Sequence, residues 1–366
     1  MQPEASRADP RSLRARARSG AAPPHLSVLD QSPIRSGGTP AQAIRETLEL
    51  AEVCDRLGYH RYWLAEHHSS SGLAGTAPEV LIGQVAARTR RLRVGSGGVM
   101  LSHYSALKVA ESFRMLETLF PGRIDLGIGR APGSDQRTAR ALRHGPGALG
   151  LDEFPQQVAD VIAYVQDRVP AGHPFAGVRA MPAGPTAPEV WLLGSSDESA
   201  AIAAHLGVAF SFAHFINADG GPEVTRAYLD AFRPSPELAA PRASAAVFAL
   251  CADTEAEALR LARCRELSIA RLYTGRHGPF PSVEEAEAYP YNAHELAIIE
   301  HARRRTVAGA PEQVRERLEA LAREYGVSEL VVVSIAHAFK ARVRSYELLA
   351  EAFELPRADA AAGDGR

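Results

Sequence analysis

The chain has 366 residues, a formal net charge of −2 at pH 7 and 46% hydrophobic residues. That balance excludes a binder of nucleic-acid backbones, which needs a basic surplus. No apolar run approaches the roughly 20 residues that cross a bilayer, and the length suits one α/β barrel. The three cysteines, Cys54, Cys251 and Cys264, have no metal-ligand spacing and suit a reduced cytoplasm.

Residues 1–24, with the run "RADPRSLRARARSGAAPP", have almost no large apolar side chains. They predict a disordered extension without the apolar core of a secretory signal. The end of the chain, 356–366, reads the same way. The domain between them, 25–355, alternates strands and helices. "HLSVLD" is a first apolar strand. "TPAQAIRETLELAEVCDRLG" follows as a helix, capped by Thr39, opened by Pro40 and stopped by Gly58. "YHRYWLAEHH" and "LRVGSGGVML" are the second and third strands, each followed by a helix. "RIDLGIGR" is the fourth. "EVWLLGSS", "VAFSFAHF", "RASAAVFALCA" and "ELVVVSIA" complete about eight strand–helix units.

Strict alternation of apolar strands with helices predicts parallel strands covered on both faces. Eight units predict a (β/α)8 TIM barrel. A doubly wound open sheet is the competing arrangement, but the first strand leads into "DQSPIRSGG", which is no G-x-G-x-x-G fingerprint. Two long excursions, Gly133–Phe154 and Ala270–Thr306, predict insertions at the C-terminal mouth.

Ligands of such barrels bind where strands end. Gly127 and Gly129 fall on one face of the fourth strand and expose backbone to a large flat ligand. Arg130 follows with a fixed charge and a planar donor fork. Gly194, Ser195 and Ser196 run from the fifth strand into a helix, whose free N–H groups and positive end suit an anion; plain N-capping explains the serines equally well. The second strand ends in Glu66, His67 and His68. Adjacent strand residues face opposite ways, so only one histidine reaches the mouth. That argues against a metal site and leaves either a hydrogen-bonded strand-end histidine or one that orients or protonates a bound intermediate.

"YWLAEHH", "VGSGGVMLSHYSALKVAESFRMLETLFPGRIDLGIGR" and "LLGSSDESAAIAAHLG" resemble the bacterial luciferase family, the luciferase-like flavin-dependent monooxygenases, over about His25–Phe353. "LDQSP" resembles the alkanal-monooxygenase-like branch, some of whose members tailor aromatic polyketides in antibiotic biosynthesis. The resemblance implies a TIM barrel that takes reduced FMN from a separate flavin reductase, uses O2 and oxygenates a small organic molecule by hydroxylation or epoxidation. It implies a cytoplasmic enzyme and a homodimer. It assigns catalysis to His67 and Glu66, and cofactor binding to Ser96, Gly97, Gly127, Gly129, Arg130, Gly194, Ser195 and Ser196. It also places a non-proline cis peptide under the flavin, at Ser96–Gly97. Gly129 stands where the family has a cysteine, which argues against light emission. Gly194 stands at the family's phosphate-side glutamate. Two alternatives remain: a deazaflavin-dependent hydride-transfer enzyme, and a non-catalytic flavin-binding subunit.

Overall fold

In a computed structural model, residues 23–130, 135–142 and 151–357 are described. The predicted tails at 1–24 and 356–366 lie largely outside them, as do 131–134 and 143–150, which fall at the start of and within the first predicted excursion. The elements run β1 (His25–Asp30), α1 (Pro40–Leu57), β2 (Arg61–Leu64), α2 (Pro78–Arg88), β3 (Arg93–Ser96), β4 (Val99–Met100), α3 (Ala106–Leu119), β5 (Ile124–Gly129), α4 (Gln136–Leu142) and α5 (Phe154–Val165). They continue with β6 (Glu189–Gly194), α6 (Asp197–Leu206), β7 (Ala209–Phe212), α7 (Gly221–Ala231), β8 (Ala243–Cys251), α8 (Glu255–Tyr273), α9 (Val283–Ala288), α10 (Ala293–Arg303), β9 (Thr306–Gly309), α11 (Pro311–Tyr325), β10 (Glu329–Val333) and α12 (Phe339–Ala352).

The parallel order β10–β1–β2–β3–β5–β6–β7–β8 closes because β10 also pairs with β8. Closure makes the sheet a (β/α)8 barrel and removes the open-sheet alternative. Local signals set the first crossover. Thr39 and Gln42 form a capping box, and Gly58 ends α1 at φ 91°. A Cβ on Gly58 would lie 2.5 Å from the Pro356 carbonyl oxygen, so only glycine fits there.

Period-2 alternation sorts the strand residues into two cores. Leu26, Val28, Tyr62, Leu64, Leu126, Leu192, Val247 and Val332 point outward to the helices. Trp63, Trp191, Ala246, Phe248, Val331 and Val333 fill the barrel interior. The two tryptophans meet edge to face, with centroids 5.2 Å apart.

The same parity closes the barrel floor with charge. Arg61 contacts Asp125 at 2.8 Å, Glu329 at 2.9 Å and Glu189 at 3.3 Å. Trp63 Nε1 also donates to Asp125, at 3.0 Å. Beneath α12, Arg342 contacts Asp30 at 2.7 Å, and the Tyr62 hydroxyl donates to the same carboxylate at 2.5 Å. These buried charges are paired, as burial requires.

The predicted excursion Ala270–Thr306 is not one long loop. It holds the last residues of α8, then α9 and α10, and ends at the four-residue β9, which pairs with the end of β8. Its 274–282 stretch lies on the mouth. Phe280 N donates to Ile34 O at 2.7 Å, and Ser36 N donates to Phe280 O at 2.8 Å.

Candidate active site

The end of β2 continues the barrel's alternation. Trp63 and Ala65 belong to the interior cluster, so His67 shares the inward face while Glu66 and His68 point the other way. Glu66 is buried. It accepts from the Tyr104 hydroxyl at 2.6 Å and from Met100 N at 3.0 Å, and it pairs with His68 Nε2 at 2.6 Å. The carboxylate therefore fixes β4 and His68 behind the mouth, and it makes no bond to His67. His67 is held by its backbone N–H on Gly75 O at 2.8 Å. Burial, then the neighbouring His68, pulls its imidazole down to about 4, so the ring is neutral at neutral pH. Its Nδ1 is buried without a partner among the described residues.

A cavity of about 270 Å³ opens at the C-terminal end of the barrel. Gly97, Gly98 and Gly129 form one wall, Leu29, Trp63 and Leu193 line the apolar base, and Arg130, Ser195, Ser196 and Ser199 gather at one end. Gly97 and Gly98 are joined by a cis peptide bond. The cis bond thus falls one residue later than the sequence implies. Ser96 is still in the β3 ladder opposite Leu64, and Gly97 N donates to Leu64 O at 2.8 Å, so the strand is regular up to that point.

The two glycines of β5 differ. A Cβ on Gly129 would make an ordinary 3.6 Å contact with Met100 Sδ, which leaves the cavity wall open. A Cβ on Gly127 would lie 2.1 Å from the Ser96 carbonyl oxygen. Gly127 is thus bare because β3 presses on it, and the Ser96 hydroxyl donates to Gly127 O at 2.8 Å. Neither Ser96 nor Gly127 lines the cavity; both hold its wall in place.

At the start of α6, Ser196 is the N-cap residue, yet its side chain makes no capping bond. The hydroxyl is free for a ligand, and plain N-capping does not account for it. A Cβ on Gly194 would lie 2.6 Å from Ser199 Oγ, so glycine lets the helix start pack against β6. Arg130 reaches this end and pairs with Glu198 in the first turn of α6. Oxygens of a carboxylate therefore already sit on the guanidinium beside a helix N-terminus, the arrangement that suits a phosphate.

A second cavity, of about 420 Å³, adjoins the first. It is lined by His67, Gln31 and Ser70 on one side and by α8 and the 274–280 stretch on the other; Phe215 and Ile216 belong to both cavities. The sequence reading missed Met100 and Ser199, and it missed the arginines of α8. Ser199 stands one helical turn beyond Ser195 and Ser196, a spacing that signals a shared face.

Fold and cavities together define a TIM barrel with a glycine-walled cavity and a cationic end at its C-terminal mouth. A family profile described as luciferase-like monooxygenase matches residues 25–329. The N-acetyl-S-alkylcysteine monooxygenase of Bacillus subtilis is 41% identical over 329 residues, covering 89% of this chain and 97% of its own. The crystal structure of apo-MsnO8 superposes with a TM-score of 0.83 at 41% identity, over 92% of this chain and 99% of that one. The oxygenating constituent of the 3,6-diketocamphane monooxygenase from a Pseudomonas putida plasmid, solved with FMN, shares the fold at a TM-score of 0.66 and 19% identity, over 90% and 97% of the two chains. The chain belongs to the luciferase-like monooxygenase family and is a flavin-dependent monooxygenase. Among the described residues, no helix is long and apolar enough to cross a membrane.

Proposed function

We propose that the enzyme takes reduced FMN from a separate flavin reductase and uses O2 to oxygenate a small organic molecule. The observation that carries this reading is the shape of the smaller cavity, a glycine wall at Gly97, Gly98 and Gly129 that ends in Arg130 and the unused hydroxyl of Ser196. The residues fit the cofactor. The wall offers bare backbone to a flat ring, and the cationic end suits the phosphate. The FMN complex of the camphane-type relative supports the same choice.

Gly97, Gly98 and Gly129 would face the ring, while Arg130, Ser195, Ser196 and Ser199 would hold the phosphate. Bound reduced FMN supplies the electrons that activate O2, so that one oxygen atom goes to substrate and the other to water. His67 works from the larger cavity. It is neutral, and its Nδ1 is free to hold or accept a proton at the substrate. Phe215 and Ile216 stand where the two spaces meet. Glu66 positions this wall through Met100 N.

Two substrate classes stand out: aromatic polyketides, from the branch that the sequence resembles, and N-acetylated alkylcysteines, from the name of the Bacillus subtilis relative. A homodimer belongs to the same reading, supported by the exposed Val80, Met115 and Leu119 on α2 and α3. Anaerobic titration with reduced FMN, followed by rapid mixing with oxygen and product analysis with both substrate classes, tests the proposal. Tight binding and oxygen-dependent product support it. Failure to bind reduced FMN overturns it.

A further inference from the structure

Four arginines line the larger cavity, and they divide into two kinds. Arg271 and Arg276 are neutralised, by Glu285 at 3.5 Å and by Glu295. Arg265 and Arg305 make no ion pair among the described residues. The interior stretches 131–134 and 143–150 contain no Asp or Glu that could serve them.

Arg265 lies 3.9 Å from the centroid of the Phe248 ring and donates to Thr306 Oγ1 at 3.1 Å. Arg305 is 5% exposed, donates to Ile216 O and leaves its buried Nε without a partner among the described residues. Burial, then the charge of Arg305, draws Arg265 down to about 9, so Arg265 stays cationic at neutral pH. Two like charges held together in a partly buried cavity without a carboxylate are costly. A chain that pairs its other cavity arginines keeps these two for an external anion.

We propose that Arg265 and Arg305 form the binding site for a carboxylate on the substrate, so that this oxygenase acts on a small organic acid whose uncharged end reaches past Phe215 and Ile216. The inference rests on the reading of the larger cavity as the substrate space. His67 lines the same cavity. An acid anchored at the arginines therefore presents its body to His67 and to the wall shared with the glycine-lined cavity. A planar guanidinium matches a carboxylate with two parallel hydrogen bonds. The phosphate of FMN offers the same chemistry, and the test separates the two sources.

Flavin-free protein is titrated by calorimetry with octanoate and 3-phenylpropanoate, each against its methyl ester. The wild type is expected to prefer each acid at least tenfold. In Arg305→Gln that preference should fall to within twofold. Ser268→Asp, which keeps both arginines and places a carboxylate in the same cavity one turn along α8 from Arg265, should abolish acid binding. Equal binding of acid and ester by the wild type overturns the proposal, as does an undiminished preference in both variants. Reduced FMN and reduced riboflavin are titrated in parallel. If Arg305→Gln erases the preference for FMN over riboflavin, the arginines serve the flavin and the proposal fails. If reduced FMN does not bind but the acid preference holds, the flavin reading falls and the acid site stands.

Discussion

Gly127 and Gly129 sit two residues apart on one strand, yet their replacement by alanine should separate stability from cofactor affinity. A Cβ at 127 meets the Ser96 carbonyl oxygen at 2.1 Å. Relief requires β3 and β5 to part by about an ångström, which disturbs the Ser96 hydroxyl bond to Gly127 O and the paired Val94–Ile124 and Gly95–Asp125 rungs. At about 1 kcal/mol net per hydrogen bond, plus overpacking strain, Gly127→Ala should lose about 3 kcal/mol. A Cβ at 129 makes only ordinary contacts, with Met100 Sδ at 3.6 Å and Val99 O at 3.9 Å, so stability should change by less than about 0.5 kcal/mol. That methyl group projects from the wall of the 270 Å³ cavity. Overpacking a bound ring by about 1–3 kcal/mol weakens reduced-FMN affinity about five- to 150-fold. Urea denaturation reads the first quantity and anaerobic fluorescence titration the second. Unchanged affinity in Gly129→Ala would refute the glycine wall as the ring site. A Gly127→Ala protein as stable as wild type would refute the strand-packing account.

Arg130→Ala should weaken reduced FMN about five- to thirtyfold, the 1–2 kcal/mol of a partly solvated charge-assisted phosphate contact, and leave riboflavin affinity unchanged in the same titration. His67→Ala should leave flavin affinity intact while lowering product formed per reduced FMN oxidised; unchanged coupling would leave the ring a merely structural strand-end residue. Asp30→Ala strips buried Arg342 of its carboxylate and should cost about 3–5 kcal/mol in a denaturation series. Burial alone would raise Asp30 and Asp125; Arg342 and Tyr62 for the first, and Arg61 and Arg93 for the second, more than offset it and hold both below the ordinary range. Because the folded pKa values are depressed, this stabilisation is present above about pH 4 and lost as pH falls through the folded values. Stability that stays flat from pH 6 to pH 3 would contradict that sign.

All eight barrel strands are legible in the sequence because their apolar runs are bounded by helix caps. β9 is not, since "TVAG" is short and pairs only with the overhanging end of β8. Parity predicts that one histidine of the Glu66–His68 run faces inward, and His67 does. Which partner Glu66 takes is invisible in the sequence, because Tyr104 and Met100 arrive from another crossover. Glycine in a strand has two causes, a ligand or a neighbouring backbone, and spacing alone does not tell Gly129 from Gly127. The arginine pair is hidden for a related reason. Arg265 and Arg305 are 40 residues apart in the chain, and what marks them is that neither makes an ion pair among the described residues.

The two cavities are drawn from different stretches of the chain. The glycine-lined space uses only residues 29–246, whereas over half the lining of the other comes from 265–305, and Phe215 and Ile216 alone are common to both. Insertions on a barrel mouth can be exchanged without redrawing the sheet beneath them. Inheritance can therefore act on this enzyme in two independent parts. On the proposed reading of the two cavities, substitutions within 265–305 change the reactant and leave the glycine-lined cavity untouched.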